Sequence, residues 1–129
     1  MQTAFVHTRP GGAAVFAPDC VAETFSESSR VEGKDDPDGR RAVRFIEWSW
    51  DPDPSDSTYT VEYGFLLRDG DRVEMVHDRH VEGVFSRATW RRILGAAGFE
   101  VETFARPIGD GIFDEVFCCR RPAGEGRKT

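Results

Sequence analysis

The densest run of chemically competent side chains is HDRH, at residues 77–80. Imidazole groups can take up a proton or bind a polar substrate, so His77 and His80 are candidate catalytic residues. The guanidinium of Arg79 is a candidate substrate ligand. On a β-strand, however, His77 and Arg79 would share one face while Asp78 and His80 share the other. On that alternative the run is a set of ordinary cross-strand pairs.

Two further groups of residues could contact a substrate. Trp48, Trp50, Tyr59 and Tyr63 could line an apolar pocket with polar tips, or they could form a packed sheet face. Asp19 follows an apolar strand of the parallel type, and α/β proteins place ligands beyond the carboxyl ends of such strands. Its alternative role is to cap a short helix. The candidate pocket therefore consists of Asp19, Trp48, Trp50, Tyr63 and Arg79.

Other reactive side chains lack the arrangement that catalysis or metal binding requires. The serines of SESS, residues 26–29, have no nearby base to activate them. Cys118 and Cys119 are adjacent, so on a strand they point to opposite faces, and Cys20 is distant in sequence. This spacing suits neither a disulfide framework nor a zinc site. It indicates a reducing, cytoplasmic compartment.

The charge balance excludes several classes of partner. A net charge of -6 without a dense basic run argues against nucleic-acid binding. The sequence has neither the pattern of a signal peptide nor an apolar run of ~20 residues that could span a membrane. A length of 129 residues allows one domain with a real core.

The first third of the chain predicts short elements and a long loop. Met1–Arg9 predicts one or two helical turns that end before the RPGG turn. Ala13–Ala17 is continuously apolar, which is typical of a strand covered on both faces. Asp19 could cap a short helix over CVAETF, residues 20–25. Ser26–Arg40 holds a single apolar residue and predicts a mobile loop.

The middle of the chain predicts an antiparallel meander over residues 41–85. Turn signals DPDPSDS and RDGD separate three runs rich in β-branched and aromatic residues. These runs are RAVRFIEWSW, TYTVEYGFLL and RVEMVHDRHVEGVF.

The last third predicts one main helix and two strands. Ser86 is placed to cap a helix over residues 87–98, and Gly98 is placed to end it. Its apolar residues follow helical spacing: Trp90, Ile93, Leu94 and Ala97. Strands are predicted over 99–104 and 114–120, and a disordered tail over 123–129. The fold class is α+β.

Three of these stretches carry a family signature. RPGGAAVFAPD, SRATWRRILGAAGFEVE and EVFCCRRP resemble the C-terminal part of class I S-adenosylmethionine-dependent methyltransferases. The resemblance implies that residues 13–17 are the fifth strand of a Rossmann-like sheet, and that the seventh strand returns antiparallel between the fifth and the sixth. The meander looks like the substrate-side insertion of bacterial small-molecule members. The resemblance covers Met1 to about Pro122.

The cofactor-binding half of that family has no counterpart in the sequence. No glycine-rich turn leads from a strand into a helix, since Gly11-Gly12 precedes a strand. No cofactor-binding residue can therefore be carried over. The resemblance implies a fragment that keeps the substrate-side region, binds no S-adenosylmethionine by itself and is inactive alone.

The same resemblance leaves one sheet edge bare. In the family the fifth strand lies between the fourth and the seventh, and a fourth strand is missing here. An apolar edge at residues 13–17 is a template for pairing. We therefore expect either that Met1–Arg9 folds over it or that a second copy of the chain pairs with it, giving a homodimer.

Two other functions remain open on the sequence. The meander and the helix could form a non-enzymatic α+β module that binds a small apolar ligand, with the likeness reflecting ancestry alone. The chain could also be a small α+β enzyme of another kind that uses HDRH. The sequence does not decide which acceptor an intact relative methylates, or whether a separate polypeptide completes the site.

Overall fold

The computed structural model describes residues 1–109 and 112–124. The chain divides into two compact units: unit 1 comprises Met1–Thr24 and Phe85–Thr129, and unit 2 comprises Phe25–Val84. None of the helices within the described ranges has the length and apolarity needed to cross a membrane. The elements are α1 (Gln2–His7), β1 (Ala13–Phe16), β2 (Ser28–Asp35), β3 (Arg41–Trp50), β4 (Thr58–Asp69), β5 (Arg72–Gly83), α2 (Arg87–Ala96), β6 (Glu100–Gly109) and β7 (Ile112–Arg120).

Unit 1 is built on an antiparallel sheet of three strands in the order β1-β7-β6. The last strand of the sequence therefore lies between the first and the sixth, as the family resemblance implies. Cys119 sits at the centre of the sheet, paired with Ala14 on one side and with Val101 on the other. This arrangement confirms the α+β class and the partial Rossmann-like sheet.

The core of unit 1 lies between this sheet and α2. Leu94, Phe117 and Cys119 are fully buried, and the ring of Trp90 stacks on Phe117 with 5.4 Å between ring centroids. The helix begins where predicted, because Ser86 accepts a hydrogen bond from the Thr89 amide. The apolar stripe read from the sequence is thus the face that packs on the sheet.

Helix α1 is short and is held by its C-terminal end. The ring of Phe5 meets Phe99 edge to face, with 5.0 Å between centroids. Arg121 donates hydrogen bonds from Nη1 to the carbonyls of Phe5 at 2.9 Å and Thr8 at 2.7 Å. A cation placed on the last carbonyls of a helix satisfies acceptors that have no partner within the helix.

Unit 2 is an antiparallel sheet in the order β2-β3-β4-β5. The predicted strands β3, β4 and β5 are present, and Gly70, with φ of +61°, forms the turn between the last two. That turn fixes the register, starting with Asp69 opposite Arg72. Tyr59 and Val61 are buried, and the ring of Phe25 packs on that of Tyr59 with 4.9 Å between ring centroids.

The predicted loop over Ser26–Arg40 is wrong for its central part, which forms β2. All eight residues of β2 are exposed, and Val31 is the single apolar side chain among them, so the sequence shows no apolar alternation there. Backbone pairing with β3 holds it, and Arg30 bridges to Glu47 of β3 at 2.7 Å. The sheet therefore spans four strands from residue 28 to residue 83 instead of three from residue 41.

Two smaller expectations in unit 1 are also wrong. The predicted helix at residues 20–25 is a turn, closed by hydrogen bonds between Thr24 and Val21. Strand β1 is covered on one face only, because Ala14 and Phe16 pack on the core while Ala13 and Val15 are exposed. Of the predicted tail, residues 125–129 lie outside the described part of the chain.

Candidate functional site

The polar residues of HDRH that face one side of unit 2 converge on a glutamate. Trp48 on β3, Glu62 on β4 and Arg79 on β5 are direct neighbours in register, so their side chains share a face. Arg79 donates from Nε to Glu62 Oε1 at 2.6 Å, and His77 Nε2 lies 2.6 Å from Glu62 Oε2. One carboxylate thus binds both basic side chains.

The electrostatics of this cluster keep Glu62 ionised. The hydrogen bond from Arg79, followed by that from His77, lowers the pKa of the Glu62 carboxyl below its usual range. The same pair raises the pKa of Arg79. The side chain of Glu62 is 15% exposed, while those of His77 and Arg79 are 67% and 60% exposed. The carboxylate therefore orients the Arg79 guanidinium and the His77 ring, whose side chains are otherwise largely exposed.

Two indoles lie beside this cluster on the same face. The rings of Trp48 and Trp50 stack with 5.8 Å between centroids and 25° between planes. Trp48 donates from Nε1 to Glu27 Oε1 at 2.9 Å, which fixes its orientation. We call the five residues Trp48, Trp50, Glu62, His77 and Arg79 the aromatic–polar patch.

The other predicted residues of unit 2 lie on the opposite face. His80 Nε2 is 3.1 Å from Asp78 Oδ2, and the His80 ring meets Tyr63 edge to face at 5.3 Å. Tyr59 shares that face and is buried. The sheet therefore separates His80 and Tyr63 from His77, Arg79 and the tryptophans.

An apolar groove lies next to the aromatic–polar patch on the same face. It has a volume of about 300 Å³, and Val31, Ile46, Leu66 and Met75 line it. Gly64 leaves room at its floor, since an added Cβ there would stand 3.2 Å from Ile46 Cγ2. We call Val31, Ile46, Gly64, Leu66 and Met75 the apolar groove.

Asp19 is exposed and belongs to unit 1.

Sequence reasoning missed the polar cluster of that unit, in a groove of about 190 Å³ lined by Thr24, Arg87 and Glu115 among others. Arg87 donates from Nε to Glu115 Oε1 at 2.7 Å, and its amide donates to the Glu23 carboxylate at 3.1 Å. These charges bind one another and fasten the start of α2 to β7, which is a structural role.

The glycine pair before β1 does not offer its amides to a ligand. Gly12 donates to the Arg9 carbonyl at 2.8 Å, and Gly11 donates to the Arg121 carbonyl at 3.0 Å. A phosphate or carboxylate cradle needs free amides, so this turn does not fit S-adenosylmethionine. Among residues 1–109 and 112–124, no group of three or more His, Cys, Asp or Glu side chains could hold a metal ion.

Solved methyltransferase structures share this architecture. CalS10, an amino pentose methyltransferase from Micromonospora echinaspora solved with S-adenosylmethionine bound, matches 93% of the chain with a TM-score of 0.76 and 19% identity. KedS8, a sugar N-methyltransferase from Streptoalloteichus, matches 94% with a TM-score of 0.74 and 19% identity. The chain has part of a methyltransferase fold.

DesVI from Streptomyces venezuelae matches 95% of the chain with a TM-score of 0.77 and 24% identity. The chain spans 49% of DesVI, 48% of CalS10 and 47% of KedS8, about half of each. No protein-family model matches the sequence, and no curated protein matches it significantly. At 19–24% identity, the match to these structures is one of fold.

Proposed function

We propose that this chain is the acceptor-side part of an S-adenosylmethionine-dependent methyltransferase, and that its acceptor is an amino sugar. The observation that carries the proposal is the extent of the fold match, which runs over 93–94% of the chain in the amino pentose methyltransferase and the sugar N-methyltransferase. The match includes unit 2 as well as the three-stranded sheet of unit 1. The likeness is therefore not limited to the part of the Rossmann-like sheet that the chain contains.

The aromatic–polar patch has the chemistry that such an acceptor needs. The indole of Trp48 is 45% exposed and stacks on the ring of Trp50, so it offers an apolar ring face to a sugar. Arg79 offers N–H donors to hydroxyl oxygens beside that surface, and the second ring nitrogen of His77 offers a hydrogen-bonding partner to a hydroxyl group. Glu62 holds both donors in place, and so orients them before a ligand arrives.

We propose further that the chain alone does not transfer methyl groups, because its glycine pair does not fit the cofactor. Calorimetric titration with S-adenosylmethionine should show no binding in the micromolar range. A methyl-transfer assay with radiolabelled cofactor and an amino pentose should stay at background. A micromolar dissociation constant or turnover by the chain would refute this part of the proposal.

Acceptor binding can be measured separately from catalysis. The chain has three tryptophans, so a ¹⁵N-labelled sample gives three indole N–H signals. On titration with the methyl glycoside of an amino pentose, the signals of Trp48 and Trp50 should shift. That of Trp90, in the core of unit 1, should stay in place as an internal control. Arg79→Gln should abolish the shifts; equal shifts in all three signals, or none, would count against the patch.

The second candidate function is a non-enzymatic module for a small apolar ligand, favoured by the apolar groove. Met75 is 79% exposed at this groove, and Met1 is the other methionine of the chain. With ¹³C-methyl methionine, an apolar ligand such as indole should shift the Met75 signal and leave Met1 unchanged. Saturable binding of indole without any binding of the amino sugar would favour this candidate over the methyltransferase part.

A further inference from the structure

The two histidines of HDRH differ in what their ring nitrogens contact. For His80, Nε2 lies 3.1 Å from Asp78 Oδ2 and Nδ1 lies 3.5 Å from Glu82 Oε1, so a carboxylate stands at both nitrogens. For His77, Nε2 lies 2.6 Å from Glu62 Oε2, and Nδ1 has no hydrogen-bond partner among the described residues. Of these two rings, that of His77 alone has a nitrogen left for a ligand.

The charge on Glu62 decides which nitrogen of His77 carries the proton. Arg79 donates from Nε to Glu62 Oε1 at 2.6 Å, and this contact favours the ionised carboxylate. An ionised carboxylate accepts hydrogen bonds and donates none, so Nε2 of His77 has to be the donor in their contact. In the neutral ring the other nitrogen, Nδ1, is then an acceptor with a free lone pair.

The strand position opposite His77 leaves room for a ligand beside the ring. Gly64 faces His77 directly in the β4–β5 pair, and an added Cβ there would meet Ile46 and no atom of His77 within 4 Å. The φ of Gly64 is not positive, so its backbone does not require a glycine. A glycine inside a strand often marks a place where a ligand approaches closely. The acceptor nitrogen therefore borders free space on the face that carries Arg79 and Trp48.

We propose that His77 binds the amino group of the acceptor through Nδ1, and that Glu62 is the positioning residue that keeps this nitrogen free of a proton. The inference rests on the proposed amino-sugar acceptor. A protonated amine is a stronger donor to Nδ1 than a hydroxyl group, because charge-assisted hydrogen bonds are roughly twice as strong as neutral ones. The positive charge of Arg79 repels such an amine and attracts hydroxyl oxygens. The amine that receives the methyl group therefore lies at the His77 end of the aromatic–polar patch.

The protonation of the His77 ring can be measured without any ligand. In a chain labelled with ¹⁵N-histidine, at about pH 8.5, where imidazole rings are neutral, His77 should show a protonated Nε2 and an unprotonated Nδ1. Glu62→Gln should give a mixture of the two tautomers, because a carboxamide can donate as well as accept. Glu74→Gln, on the other face of β5, is the matched control and should leave the His77 signals unchanged. A protonated Nδ1 in the wild type, or an unchanged tautomer ratio in Glu62→Gln, would overturn the role of Glu62.

Titration with a ligand tests the contact itself. The methyl glycoside of an amino pentose should shift the Nδ1 signal of His77, and the analogue with a methoxy group in place of the amine should not. His77→Phe should weaken binding of the amino glycoside about tenfold, whereas His80→Phe, the matched control, should leave the dissociation constant unchanged. If the Trp48 indole signal shifts while Nδ1 of His77 does not, or if both substitutions weaken binding equally, this inference fails and the proposed acceptor stands. If neither signal shifts, the proposed acceptor fails, and this inference fails with it.

Discussion

Gly98 should be among the least replaceable residues of unit 1. Its φ is +107°, and a Cβ added there would stand 2.7 Å from Cζ of Phe5. A positive φ costs a non-glycine residue roughly 1–2 kcal/mol. Displacing Phe5 also breaks its edge-to-face contact with Phe99, worth about 0.5–1.5 kcal/mol. Gly98→Ala should therefore lower the free energy of unfolding by roughly 1.5–3.5 kcal/mol, the sum of these two costs.

Gly11 provides the matched control for the backbone cost. Its φ is +75°, and an added Cβ would meet nothing within 4 Å. Gly11→Ala should therefore cost about 1–2 kcal/mol, which is the backbone contribution alone. In a Phe5→Ala background, the loss of unfolding free energy caused by Gly98→Ala should fall to the same range, since the ring that the new Cβ would meet is absent.

The measurement is urea unfolding followed by the fluorescence of Trp90. Trp48→Phe and Trp50→Phe remove the indoles of unit 2, so the remaining signal reports on the core of unit 1. Equal losses for Gly98→Ala and Gly11→Ala would refute the reasoning. So would a Gly98→Ala cost that Phe5→Ala leaves unchanged, since the contact with Phe5 would then contribute nothing.

Two further predictions concern charge and capping. Because Arg79 lowers the pKa of Glu62 in the folded chain, this ion pair stabilises above about pH 4.3, the ordinary glutamate value, and is lost as the pH falls through the depressed pKa. The urea midpoint of Glu62→Gln should thus depend less on pH below 5 than the midpoint of the wild type does. Glu74→Gln is the control: Glu74 lies on an exposed part of β5, so this variant should retain the wild-type dependence. If the Glu62→Gln and wild-type profiles are indistinguishable, the stabilising role of the Glu62–Arg79 pair is contradicted. Ser86→Ala should lower the free energy of unfolding by about 1 kcal/mol, measured by the same urea unfolding, because the Thr89 amide loses its acceptor. Ser86→Asp should lower it much less, since a carboxylate oxygen can accept from that amide as the serine hydroxyl does. Equal losses in the two variants would exclude the capping role of Ser86.

How far the sequence predicts the fold depends on where its apolar residues fall. Helix α2 and strands β3, β4 and β5 were predicted because each has a face or a run of apolar side chains. Strand β2 was not, since Val31 is its single apolar side chain and the strand is held by pairing with β3 and by ion pairs such as Arg30–Glu47. The composition of a strand does not predict its pairing with a neighbouring strand.

In the candidate site, residue types alone do not reveal the partner of the basic side chains, but the register of the hairpin does. Sequence reasoning named Arg79 and His77 but missed Glu62, which binds both from the neighbouring strand. Counting back along β4 from the RDGD turn, with Asp69 opposite Arg72, places Glu62 opposite Arg79. Register from a tight hairpin therefore predicts a partner that residue types alone do not. The orientation of the two tryptophan rings, by contrast, follows from packing and is not readable from spacing.

The position of β7 between β1 and β6 has a consequence for synthesis. Residue 13 pairs with residue 120, and β1 and β6 are joined only through β7. Every strand of unit 2, by contrast, pairs with a neighbour along the chain between residues 28 and 83. Local pairings form quickly, whereas distant ones wait for loop closure. On the ribosome, unit 2 can fold while β1 still waits for its strand, so the three-stranded sheet is completed last.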